Sequence, residues 1–166
     1  MTIYRSNHLE FITIDLPNLI FKGEFMKVKK ALFSALLMCV GTIAFANELI
    51  SKSSPDARVY FIEPMDGATL PSTFTVKFGL SGMGVAPAGV NRENTGHHHL
   101  LINTEISDFT QPIGSSDQMK HFGGGQTETE LTLPAGTHTL QLVLGNYLHI
   151  PHDKPVISET ITVTVK

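Results

Sequence analysis

Residues 73–80, TFTVKFGL, alternate strictly, with Phe74, Val76, Phe78 and Leu80 on one face and Thr73, Thr75 and Lys77 on the other. A period of two marks a strand with one buried face. THTLQLVL at 137–144 repeats the pattern with Leu140, Leu142 and Leu144 inward, and ISETITVTV at 157–165 does so with Ile161, Val163 and Val165. RVYFI at 58–62 is β-branched and aromatic, and Pro64-Met65-Asp66-Gly67 closes it as a turn. The apolar run from His98 to Asn103 and LTL at 131–133, followed by Pro134-Ala135-Gly136, add two more candidates. Beyond residue 46 no stretch holds a 3.6-residue apolar period over ten residues. The pattern predicts an all-β chain: an antiparallel, immunoglobulin-like β-sandwich of about seven strands over about residues 57–166, after a short polar leader at 47–56. Phe74, Val76, Phe78, Leu100, Ile102, Leu140, Leu142, Ile161 and Val163 are its expected core.

Between these runs lie three long connections, at 81–96, 107–127 and 145–155, rich in Gly, Pro and Asn. Unstructured connections longer than about 12–15 residues are often functional.

Ahead of the sandwich the pattern changes. In MKVKKALFSALLMCVGTIAFA at 26–46, Lys27, Lys29 and Lys30 precede an apolar stretch from Ala31 to Val40, and Ala44-Phe45-Ala46 closes it. That is the layout of a secretory signal peptide cleaved after Ala46, and it is short for a membrane span. A signal peptide belongs at the N-terminus, so Met26 reads as the true start and residues 1–25 as a non-native upstream extension. Lys22-Gly23-Glu24 agrees, because its codons can spell a purine-rich ribosome-binding sequence.

The 166 residues carry 12 Lys+Arg against 15 Asp+Glu, a net charge of −3. Without residues 1–46 the balance is 7 against 12, a net of −5. No basic stripe is present, which excludes an electrostatic nucleic-acid footprint. The single Cys lies at 39, so the expected mature chain has no disulfide framework and no Cys-based zinc module. The Gly-x-Ser-x-Gly and His-Glu-x-x-His motifs of hydrolases are absent. Ser115, His152 and Asp153 are too ordinary to argue acyl transfer.

The distinctive chemistry is imidazole. Seven of the eight histidines fall between 97 and 152: His97, His98, His99, His121, His138, His149 and His152. Strand parity puts His97 and His99 on one face, and His98 on the other with Leu100 and Ile102. His121 precedes the Gly123-Gly124-Gly125 tract, and His149-Ile150-Pro151-His152-Asp153 places two imidazoles on one loop. His97, His99, His121, His149 and His152 are therefore the candidate metal ligands, expected to converge at one end of the sandwich. His138 shares the parity of Leu140 and reads as a packed residue. Imidazole suits copper and zinc, and three ligands with an open position would suit a catalytic site. If a metal binds, its affinity should collapse as pH falls through the histidine range near about 6.5, because ligand imidazoles must be neutral.

GHHHLLIN at 96–103, KHFGGGQTETEL at 120–131, LPAGTHTLQLVLG at 133–145 and HIPHDKPVISETITVTVK at 149–166 resemble the bacterial secreted family described as domain of unknown function 4399, over about residues 57–166. The resemblance implies export but no reaction. PMDGATLPSTFTVKF at 64–78 is similar to the opening strands of periplasmic copper-resistance proteins of the CopC type. Those bind copper through an N-terminal histidine, and the expected mature terminus here is Asn47, so that site does not carry over.

The leading expectation is a periplasmic or secreted protein that binds a copper or zinc ion through its histidine cluster. The alternatives are a cell-envelope module that binds a protein or glycan with structural histidines, and a zinc- or copper-dependent enzyme, the least supported of the three. None involves nucleic acid, or a membrane after signal cleavage. N-terminal sequencing of exported protein should begin at Asn47; material retaining Met1 would refute both the start site and the cleavage site.

Overall fold

In the computed structural model residues 49–166 are described, and the expected signal peptide and upstream extension lie outside them. The alternating run at 73–80 forms β3 (Thr73–Ser81), with Phe74, Val76 and Phe78 buried. On either side it pairs antiparallel with β1 (Arg58–Glu63) and β7 (Glu128–Thr132), giving a three-stranded sheet. Facing it is a six-stranded sheet in the order β2 (Thr69–Leu70), β9 (Ile161–Val165), β8 (Gly136–Gly145), β5 (Thr95–Ile102), β4 (Gly84–Val85), with β6 (Met119–His121) also paired to β5.

The all-β sandwich expected from the sequence is observed. Nine strands are present among the described residues, because β2, β4 and β6 are too short to leave a periodic trace. Two pairings, β2 with β9 and β4 with β5, are parallel, each two residues long at the sheet's margins. The final strand begins at Ile161, not near 157, because the preceding segment pairs with β8 through the isolated bridges Val143–Ile157 and Gly145–Pro151 and not through a continuous ladder. The loop expected at 107–127 contains β6, whose Lys120 stands opposite Leu100 and whose His121 stands opposite His99.

The two inner faces build one core. Val59, Phe74, Val76, Phe78 and Leu131 of the small sheet pack against Leu100, Ile102, Leu140, Leu142, Leu144, Ile161 and Val163 of the large one. All nine residues expected in the core are buried. On the outer face of the large sheet Leu101, Val143 and Ile113 form a second, smaller cluster with Ile106 and Met119. There the chain between β5 and β6 folds back over the sheet. Among the described residues no helix is long and apolar enough to cross a membrane.

Leu142 is fully buried between the sheets. Leu142→Ala should lower unfolding free energy by about 2–5 kcal/mol, the range for a cavity that cannot collapse. Thr162→Ala, on the exposed side of β9, should stay within about 0.5 kcal/mol. Urea denaturation of the two variants checks this.

Candidate metal centre

β5 carries Thr-Gly-His-His-His-Leu-Leu-Ile, and every residue after Thr95 is buried. Its inward face holds His98, Leu100 and Ile102, and its outward face holds His97, His99 and Leu101. Outward does not mean solvated here, since His97 and His99 are both 0% exposed. Four connections are tied together around them. The chain after β4 is tied to the glycine tract and to the β8–β9 connection by Ala88 N–H to Gly123 C=O and Gly89 N–H to Tyr147 C=O, at 2.8 and 2.9 Å. The β5–β6 connection is tied to the same loop by Ile113 N–H to His149 C=O at 2.9 Å.

His97 and His99 meet through their Nε2 atoms, 3.1 Å apart. Opposite residues of an antiparallel pair share a face, and the register sets His121 opposite His99. One ligand nitrogen from each of His97, His99 and His121 lies within 4.8 Å of the other two. The His149 ring completes a cluster of four, with centroids 4.6 Å from His121, 5.0 Å from His97 and 5.9 Å from His99. His97 and His99 form the floor, and His121 reaches solvent.

Two glycines make room for these rings. Gly145 stands opposite His97 in β8, and a Cβ there would come within 2.9 Å of His99 Nε2. A Cβ on Gly123 would collide with the His121 ring. Neither role can be read from composition, because a glycine tract beside a histidine looks like an ordinary turn.

Four of the five candidate ligands thus come together. His152 does not join the rings: it is buried, with Nε2 3.2 Å from the Thr95 carbonyl. His98 lies on the core side against Phe78, ring centroids 5.2 Å apart. Neither of its ring nitrogens makes a hydrogen bond, the Gln126 backbone being too poorly placed to serve. His138 is a packed residue, its ring held between the Pro134 carbonyl and the Asn103 side chain at 2.9 Å each.

Burial governs the electrostatics. It lowers His97 to about 4 and His99 to about 3, and the neighbouring rings add repulsion for any proton taken up. His98 is lowered to about 4 by burial, which weak contact with the Gln126 backbone offsets only in part. His121 is lowered by the same desolvation and by His149, and His152 by burial that nearby carbonyls and Asp153 partly offset. At neutral pH the buried pair is therefore uncharged, the form that binds a metal. The proton competition expected near 6.5 moves well down for His97 and His99.

The donor set fits a transition-metal ion. Ligands about 2.0–2.1 Å from a tetrahedral ion lie roughly 3.3 Å apart, and the Nε2 pair is already at 3.1 Å. His97 Nδ1 and His99 Nδ1 are buried with no hydrogen-bond partner, so the two rings have only one polar contact between them.

The family model for Domain of unknown function (DUF4399) matches residues 76–166, a span that includes every histidine of the cluster. The chain belongs to this family. No curated protein matches it, copper-resistance proteins of the CopC type included. Among solved structures it is similar to the X-ray structure of the endo-β-1,4-mannanase from Thermotoga petrophila, at 19% identity and a TM-score of 0.40 over 67% of this chain and 20% of that one. The chain thus spans about a fifth of that protein's length.

His97, His98 and His99 have folded-state values below the ordinary 6.5, so the unfolded chain takes up protons first as pH falls. Metal-free protein should hold constant stability above pH 6.5 and lose it below, down to about 4 for His97 and His98 and about 3 for His99, by up to about 1.4 kcal/mol per pH unit for each histidine. Urea midpoints across that range check this. His98→Phe should shallow the slope by one proton's worth without touching the outward rings.

Proposed function

We propose that this chain is an exported, metal-binding β-sandwich protein that holds a copper or zinc ion at His97, His99 and His121, with His149 beside them. The observation that carries the reading is the buried His97–His99 pair, with Nε2 atoms at ligand-to-ligand spacing and a third imidazole delivered across β6. A charged pair of imidazoles could not be buried in this way, so the fold keeps both rings neutral and free to donate lone pairs. Export is supported by the signal-peptide pattern at 26–46 and by a mature sequence without cysteine. The set is purely nitrogen, which suits Cu(II) and Zn(II) better than Cu(I).

His121 is the exposed member of the cluster, so an ion held there exchanges with solvent on that side.

Metal analysis of untagged protein should find one copper or zinc per chain. Replacing both His97 and His99 with Ala should abolish binding while leaving a folded β-sandwich by circular dichroism. Gly123→Ala leaves every imidazole in the sequence but forces the His121 ring to move. It should weaken binding about ten-fold or more, the scale of disturbing a ligand's orientation. Unchanged affinity in the double His variant would overturn the reading.

A further inference from the structure

His149 is the one imidazole of the cluster carried by a loop, and its backbone is in the left-handed region, φ 67°. A non-glycine residue there costs energy and persists where its surroundings hold it. Beside the Ile113 N–H that bonds its carbonyl, what holds it is one residue, Asn146. Asn146 is 1% exposed, and its Oδ1 accepts the N–H groups of Leu148 and Ile150 at 2.8 and 3.1 Å. Its backbone carbonyl accepts the N–H of His149 at 2.8 Å, and its own N–H donates to the Ile150 carbonyl at the same distance. Three consecutive amides, of the histidine and of both its neighbours, therefore end on one residue.

Asn146 is in turn anchored from the start of the described chain. Its Nδ2 donates to the Leu49 carbonyl at 2.8 Å and contacts Ser51 Oγ at 3.2 Å. The same segment is pinned a second time beyond the histidine: Asp153 N–H donates to the Ser51 carbonyl, and Asp153 Oδ1 accepts the Ser53 N–H, both at 3.0 Å. Leu49–Ser53 thus straps the loop at both ends of the stretch that carries His149.

We infer that Asn146 is the positioning residue that presents His149 to the metal as a fourth ligand, and that the strap at Leu49–Ser53 fixes Asn146 for that task. This rests on the metal-binding reading above. A fourth imidazole held by its backbone, while the other three come from strands, gives a site whose last ligand depends on a separate part of the chain. Loosening the strap would leave the strand ligands in place and remove one nitrogen.

The test uses Cu(II) alone as the probe, since its electron paramagnetic resonance spectrum reports the number of nitrogen ligands. The wild-type protein should show four nitrogens and His149→Ala three, with about ten- to hundred-fold weaker affinity. Asn146→Ala should match His149→Ala in both spectrum and affinity, and the double variant should bind no more weakly than His149→Ala alone. A wild-type spectrum for folded Asn146→Ala, or a further loss in the double variant, would overturn the inference, because a general structural role is additive. If Asn146→Ala does not give a cooperative melt, Asp153→Ala takes its place. Its exposed carboxylate holds the strap, and removing it should weaken copper binding in the wild-type background and have no effect in the His149→Ala background. Asp153→Ala binding that matches wild type would also overturn the inference. Copper binding that survives loss of both His97 and His99 overturns the metal reading instead; binding lost there but indifferent to Asn146 overturns only the role of Asn146.

Discussion

The centre depends on the register of one strand. β5 is paired so that His97 faces Gly145, His98 faces Leu144, His99 faces Val143 and Leu100 faces Leu142. A slip of one residue would exchange the faces, driving His97 and His99 into the core and Leu101 with them. The leucines prevent this. Leu100 and Ile102 of β5 are buried against Leu140, Leu142 and Leu144 of β8, and each of the two contributes roughly 1.5–3 kcal/mol of burial that a slip would forfeit. Apolar packing on the inner face thus fixes imidazole geometry on the outer one. The glycine opposite His97 matters only because this register holds it there, since a Cβ at 145 would meet the His99 ring.

How far the sequence could be read follows from which parts obey a period. The long strands and the core were legible, because Phe74, Val76 and Phe78 or Leu140 and Leu142 repeat with period two. The pairing of His97 with His99 was legible for the same reason. β6 was not, since three residues between glycines and polar positions carry no pattern, and its existence depends on the edge that β5 offers. The difference between His149 and His152 was equally invisible: both sit in one HxxH stretch, and only the turn built on Asn146 sends one ring to the cluster and leaves the other at Thr95. Parity rules apply to strands, and a loop residue with positive φ escapes them.

Burying imidazoles carries a cost that has to be offset. His97 Nδ1, both nitrogens of His98, His99 Nδ1 and His152 Nδ1 are buried without hydrogen bonds, and each such group costs on the order of 1–3 kcal/mol. A cation between the outward rings would replace their single mutual contact with direct ligation. That account does not reach His98, which faces the opposite way.

His98 is tied to the centre by a different route. Its carbonyl accepts the Phe122 N–H at 3.0 Å, and its ring and that of Phe122 both pack on Phe78, at 5.2 and 4.7 Å. Phe122 follows His121 in the chain, so parity turns one inward and the other outward. Two inward rings therefore lock β6 to β5 from inside the core, while the outward pair His99 and His121 meets on the far face at 5.0 Å. The placement of His121, the most exposed ring of the cluster, thus depends on aromatic packing that it does not itself make. A polar substitution at Phe78 would thus reach the centre without changing any residue that touches it.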